Sequence, residues 1–156
     1  MTLLSNSRFF IVTILVLSLA ACSQLGMKDE IKEEPKQDLF ELQKQADVSY
    51  LNDDMLASER DYQILVTELP EIPLHWFRLA NIYVRTNRPV AAINLYREAV
   101  VRDPTYSKAW FNMGIVQLKQ TAYSLNEMLI YVDRNDPMYA KAKELLDGIK
   151  AIIKQD

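Results

Sequence analysis

One cysteine, one histidine and three glycines are spread over 156 residues. A single cysteine, Cys22, can close no internal disulfide and build no cysteine-cluster metal site. The lone histidine, His75, leaves little material for imidazole catalysis or zinc binding. Placed just before Trp76 at an expected helix start, it reads as a surface or capping residue. An excess of cations is also missing: 18 Lys and Arg against 21 Asp and Glu give a formal charge of −3. That balance argues against an electrostatic nucleic-acid binder. Glycine-rich phosphate loops, nucleophile elbows and metal-ligand spacings are absent. Asp53-Asp54 are adjacent carboxylates, but they sit where a turn needs Asn or Asp for conformational reasons. Glu33-Glu34 belong to a charged segment. The sequence therefore predicts no catalytic residue, metal or cofactor, with an unrecognised hydrolase as the remote alternative. What is present is ordinary for a globular chain: 49% hydrophobic and 25% charged residues.

The first twenty-odd residues follow a different rule from the rest. Arg8 is the one charge before an uninterrupted run of apolar or small residues from Phe9 to Ala21. The run falls short of the roughly 20 residues of a membrane span but suits the apolar segment of an export signal. It ends in Leu19-Ala20-Ala21-Cys22, which resembles the bacterial lipobox. The resemblance implies cleavage before Cys22, a diacylglycerol thioether and an N-acyl (palmitate-type) chain on Cys22. A plain secretory signal and an uncleaved anchor are the alternatives. Two or three acyl chains, at about 0.8 kcal/mol per buried methylene, give stable anchoring where one chain is marginal. Ser23, in place of the Asp that favours inner-membrane retention in lipoproteins of enteric-type bacteria, implies the periplasmic face of the outer membrane of a two-membrane cell. Residues 22–37 carry Gly26, Pro35 and a dense mixture of charges, and read as the lipidated start and a solvated tether. The expected organisation is thus a signal over 1–21, a tether over 22–37 and a folded domain over 38–156.

Within that domain the chain repeats. Pro70 and Pro104 are 34 residues apart, as are Trp76 and Trp110, and Pro137 follows Pro104 by 33. Residues Trp76-Phe77-Arg78-Leu79-Ala80-Asn81-Ile82-Tyr83 put Trp76, Leu79, Ala80 and Tyr83 on one helical face. Small residues Ala92 and Ala99 flank Tyr96 in the following helix, and Thr86-Asn87-Arg88-Pro89 make the turn between them. This unit, Pro73 to Tyr106, resembles the tetratricopeptide repeat, a helix–turn–helix of 34 residues. A degenerate copy starts at Ser107 with Trp110, Met113 and Gly114, and expects its second helix over about Tyr123–Arg134 from Leu125, Leu129, Val132 and Pro137. A preceding copy, about Leu39–Ile72, fits through Leu42, Ala46, Ser58, Tyr62, Leu65 and Pro70, with Asn52-Asp53-Asp54 as its turn. Tyr139–Lys154 reads as a capping helix, with Gly148 costing about 1 kcal/mol relative to Ala if exposed. The expected fold is all-α: a short solenoid of about three helix pairs and a cap, roughly seven helices, with no strand.

The resemblance also implies a concave surface built from the first helix of each pair. By position it assigns Phe77, Asn81, Val84 and Arg85 in the middle repeat and Lys108, Phe111, Ile115 and Lys119 in the next, with Arg78 at the margin. Phe77 and Phe111 occupy equivalent places and are expected side by side, exposed in the groove or buried beneath terminal helices. Such a surface suits an extended or helical peptide with apolar anchors and an acidic group. It departs from the family's carboxylate clamp: Asn81 is present, but Phe77 and Phe111 stand where the clamp has lysines. Small lipoproteins of this layout resemble assembly factors of type IV and Tad-type pili, secretion pores and outer-membrane machinery. The implied function is an interaction scaffold in the cell envelope, anchored by lipid; an adaptor for cell-wall hydrolases or synthases is the alternative. Self-association is left open.

Overall fold

The computed structural model describes residues 38–154. The expected signal, Cys22 and tether lie outside the described residues. Six α-helices follow one another: α1 (Leu39–Leu51), α2 (Met55–Glu68), α3 (Pro73–Arg85), α4 (Pro89–Arg102), α5 (Ser107–Tyr131) and α6 (Pro137–Ile153). No strand occurs among the described residues. The all-α solenoid reading holds, as three consecutive pairs in which each helix packs chiefly on its neighbours in sequence.

Local chemistry sets the helix starts. Asp38 caps α1 through Phe40 N at 3.0 Å, Asp54 caps α2 through Ala57 N at 3.1 Å, and Asp136 caps α6 through Met138 N at 2.7 Å. α3, α4 and α6 each have proline at the first position, where the missing N–H costs nothing. The two intra-pair turns are built alike. Asp53 (φ 62°) and Asn87 (φ 58°) take the left-handed conformation 34 residues apart. The following amides close back on the helix: Asp54 N to Ser49 O at 3.0 Å and Arg88 N to Tyr83 O at 2.8 Å.

The third turn is not made. The separate helix expected over Tyr123–Arg134 is instead the second half of α5, which runs 25 residues without a break. One repeat after Asn87 stands Thr121, a β-branched residue for which left-handed backbone is costly. Its hydroxyl donates to Gln117 O at 3.0 Å, a helical i−4 bond. No Gly, Pro, Asn or Asp interrupts the stretch from Gln117 to Leu125. The chain therefore has six described helices where seven were expected, and α6 pairs with α5 in place of the cap.

Two apolar clusters hold the pairs together. Leu42, Ala46, Tyr62, Leu65, Val66, Leu79 and Ile82 fill the space among α1, α2 and α3. Phe77, Ala80, Ala92, Tyr96, Ala99, Val100, Ala109, Met113 and Val116 fill that among α3, α4 and α5. Ala46 and Ala80, at equivalent positions, are fully buried; residues this small let helix axes approach closely while Tyr62 and Tyr96 fill the flanks. The expected surface role of His75 is corrected. It is fully buried, its Nε2 is 3.2 Å from Gln43 Oε1 on α1, and burial lowers its pKa. Gln43 accepts, so Nε2 carries the proton of the neutral ring.

Candidate partner-binding groove

Helices α1, α3 and α5 turn one side toward a common concavity of about 410 Å³. Its lining includes Asn81, Val84 and Arg85 from α3 and Phe111, Ile115 and Lys119 from α5, so six of the nine expected groove residues are brought together. Tyr50, Tyr96, Asn112 and Val116 complete it. The volume suits a few side chains of a partner.

The other three expected residues stand elsewhere. Phe77 is 8% exposed, with its ring 5.9 Å from that of Tyr96 and 5.0 Å from that of Tyr106. It belongs to the core, because the chain entering α5 lays Tyr106 over it. Phe111, its positional equivalent, is 58% exposed, since α5 runs on unbroken and no second helix folds back to bring an equivalent of Tyr106 over it. The side-by-side exposed pair is therefore corrected to one buried and one open ring. Arg78 turns onto the face of Tyr50, its guanidinium carbon 4.6 Å from the ring centroid, and its Nε lies 3.9 Å from Asp47 Oδ1. Lys108 is exposed on the first turn of α5 and does not line the concavity.

The floor is polar and internally satisfied. Asn81 Nδ2 donates to the Tyr50 hydroxyl at 3.3 Å, while Asn81 Oδ1 accepts from the Tyr96 hydroxyl at 2.6 Å and from Asn112 Nδ2 at 3.1 Å. One repeat earlier the same geometry recurs as the Tyr62 hydroxyl donating to Asp47 at 2.5 Å. Burial pushes the Tyr96 hydroxyl up to about 12, so it remains a proton donor at any physiological pH. Asn81 is thus a positioning residue of the floor, its carbonyl oxygen fully used. Asn112 was missed from the sequence, since a lone Asn beside Phe111 carries no signal until Asn81 is placed opposite it.

The walls are apolar and the margin basic. Phe111, Ile115 and Val84 present hydrocarbon, and Arg85 is ion-paired with Asp53 across the first turn. Lys119 is exposed and makes no ion pair among the described residues. Outside the groove, Arg88 Nη1 donates to Glu59 Oε1 at 2.6 Å and its guanidinium carbon stacks 3.8 Å over the Tyr83 ring, tying α2 to the α3–α4 turn. No group of three or more His, Cys, Asp or Glu side chains among the described residues is placed to hold a metal.

Comparison with known proteins agrees with this geometry. No curated protein matches the sequence. A family model described as tetratricopeptide repeat matches residues 73–116, which run from the start of α3 to the last buried residue of α5. Residues 73–116, which hold the central helix pair and much of the groove lining, are similar to a tetratricopeptide repeat.

Proposed function

We propose that the protein is a membrane-anchored interaction scaffold whose concave groove holds a peptide segment of another protein. The observation that carries this reading is the groove itself: apolar walls at Val84, Phe111 and Ile115 under a margin that includes the exposed Lys119. Apolar anchors in such pockets supply affinity, and the cation supplies register and selection for an acidic group. A tetratricopeptide repeat is an interaction module, which supports binding over catalysis. The lipobox-like Leu19-Ala20-Ala21-Cys22 supports lipid anchoring at Cys22, on the periplasmic face of the outer membrane. Within the envelope the layout suits a factor that localises or assembles a pilus or secretion apparatus. It offers a docking face and, by its sequence, a tether.

The groove is tested by pull-down from mild-detergent envelope extracts with the lipidated protein and its Arg85→Glu/Lys119→Glu variant. Both positions are exposed at the margin, so helical circular dichroism should be unchanged while capture of an acidic-segment partner falls at least tenfold. Capture that survives the double reversal would move the contact away from the groove. For the anchor, Cys22→Ala should abolish labelling by a palmitate analogue and detergent-phase partitioning; retained labelling would refute it.

A further inference from the structure

We propose that an open trough beside the first half of α5 is a second docking site, which takes a short amphipathic helix of a partner by its arginine. The trough, of about 720 Å³, runs from Thr105 past Trp110, Phe111 and Gly114 to Leu118 and Ile152. α6 stays seated on α5 through its buried Ala142, Leu146 and Ile149, and borders the trough only with Ile152.

What belongs in the trough is visible one repeat earlier, where the place is filled. Trp76 Nε1 donates to Pro70 O at 2.8 Å, and Arg102 at the end of α4 stacks on that indole, its guanidinium carbon 4.4 Å from the ring centroid. Arg102 Nε donates to the same carbonyl, so both lone pairs of Pro70 O are used. Trp110 repeats half of this arrangement, its Nε1 donating to Pro104 O at 3.0 Å. Among the described residues no cation lies over its ring and no second donor reaches Pro104 O. Trp110 is 50% exposed. An open indole face beside a carbonyl with a spare lone pair suits a guanidinium. Asp103, next in sequence to Pro104, adds a carboxylate where the earlier turn has Leu69. The chain does not supply the arginine itself, because the residue one repeat beyond Arg102 is Asp136, which caps α6.

The rest of the occupant follows from α4. Ala99, three residues before Arg102, is fully buried in the cluster with Phe77 and Ala80. Tyr96, three residues earlier still, lies 5.9 Å from the Phe77 ring and donates to Asn81. On α5, Phe111 and Gly114 stand for Phe77 and Ala80, and a Cβ added at Gly114 would meet no heavy atom within 4 Å. Ile115 stands for Asn81, so a hydroxyl buried against it would lack an acceptor and an apolar side chain is favoured. The partner helix therefore carries an apolar side chain, a small residue and an arginine at i, i+3 and i+6, and runs antiparallel to α5. Its length is two to three turns, since Ile152 closes the far end of the trough. Phe111 and Ile115 also line the groove, whereas Trp110 and Gly114 do not, so the two sites can be separated by substitution.

The probe is a synthetic peptide of residues Ile93–Arg102 with Tyr96→Phe, stapled between positions 97 and 101, which are exposed in α4. Tyr96→Phe removes the hydroxyl that serves Asn81 and so steers the peptide away from the place α4 already fills. Fluorescence anisotropy with the full chain in mild detergent should show saturable binding, with a Kd on the order of 10–100 µM. Arg102→Gln in the peptide should weaken binding about tenfold. On the Trp110→Leu chain the two peptides should bind within about twofold of each other. Gly114→Leu, which fills the trough without a clash at Cβ, should abolish saturable binding, and the Arg85→Glu/Lys119→Glu chain should bind as wild type does. No saturation below about 1 mM would overturn the proposal, as would binding that survives Gly114→Leu. An undiminished effect of Arg102→Gln on the Trp110→Leu chain would refute the arginine site. Loss of binding in the Arg85→Glu/Lys119→Glu chain would place the peptide in the groove and overturn the second site. If Trp110→Leu loses helical signal by circular dichroism, Trp110→Met is read by the same criteria.

Discussion

Phe77 and Phe111 are the sharpest internal control the molecule provides, being the same residue at the same repeat position in different surroundings. Phe77 is 8% exposed and lies against two aromatic rings, whereas Phe111 is 58% exposed at the groove edge. Truncating a buried Phe loses its transfer free energy and leaves a cavity, about 3–5 kcal/mol in all. Removing a mostly exposed ring costs about 0.5–1 kcal/mol, close to the range of ordinary surface changes. For a domain of this size, Phe77→Ala should lower the thermal midpoint by about 10–20 °C and Phe111→Ala by about 2–5 °C. The assay is circular dichroism at 222 nm during thermal and urea unfolding. Equal losses in the two variants would refute the assignment of Phe77 to the core and of Phe111 to the surface. So would a Phe77→Ala protein within about 1 kcal/mol of wild type.

Two further outcomes follow from buried and exposed positions. His75 is held neutral by burial, with a folded pKa below the ordinary 6.5. Below pH 6.5 the unfolded chain binds a proton that the folded chain refuses, so stability is full above 6.5 and falls as the pH drops toward the depressed folded value. Urea midpoints between about pH 7.5 and 5 should show this slope in wild type and lose much of it in His75→Gln; an unchanged slope would show that His75 is not its source. Gly148 is exposed on α6, and a Cβ there would meet nothing within 4 Å. Gly148→Ala should therefore raise stability by about 0.5–1 kcal/mol, and a lower urea midpoint would contradict the placement.

The repeat period was legible because its two markers are one physical feature. Trp76 Nε1 donates to Pro70 O at 2.8 Å, and Trp110 Nε1 donates to Pro104 O at 3.0 Å, so indole and proline travel together. Six groove residues were legible for the same reason, since position within a repeat fixes which way a helix residue points. Burial is not fixed by position. Phe77 is covered by Tyr106 at the end of its own unit and His75 by Gln43 of the preceding one, contacts that position along a helix does not specify. The unbroken α5 was readable in principle: the first two turns each use Asp or Asn at the left-handed position, and Thr121 stands where the third would need one. Spacing alone argued for a helix over Tyr123–Arg134, and the turn chemistry decided that it would not be a separate one.

Asn81 has a mechanical consequence. One carboxamide is tied to Tyr50 of α1, Tyr96 of α4 and Asn112 of α5 while itself standing on α3. A stacked-helix spring flexes by small changes of angle at every joint, and here the middle joints are pinned to a single point. Stretching or twisting the centre must strain bonds to three helices together, so the centre should be stiff. Beyond Val116 no such pin exists among the described residues, and compliance concentrates in the overhang of α5 with α6. A load applied between the two ends of the described domain would be taken up there first, leaving the curvature of the groove nearly constant.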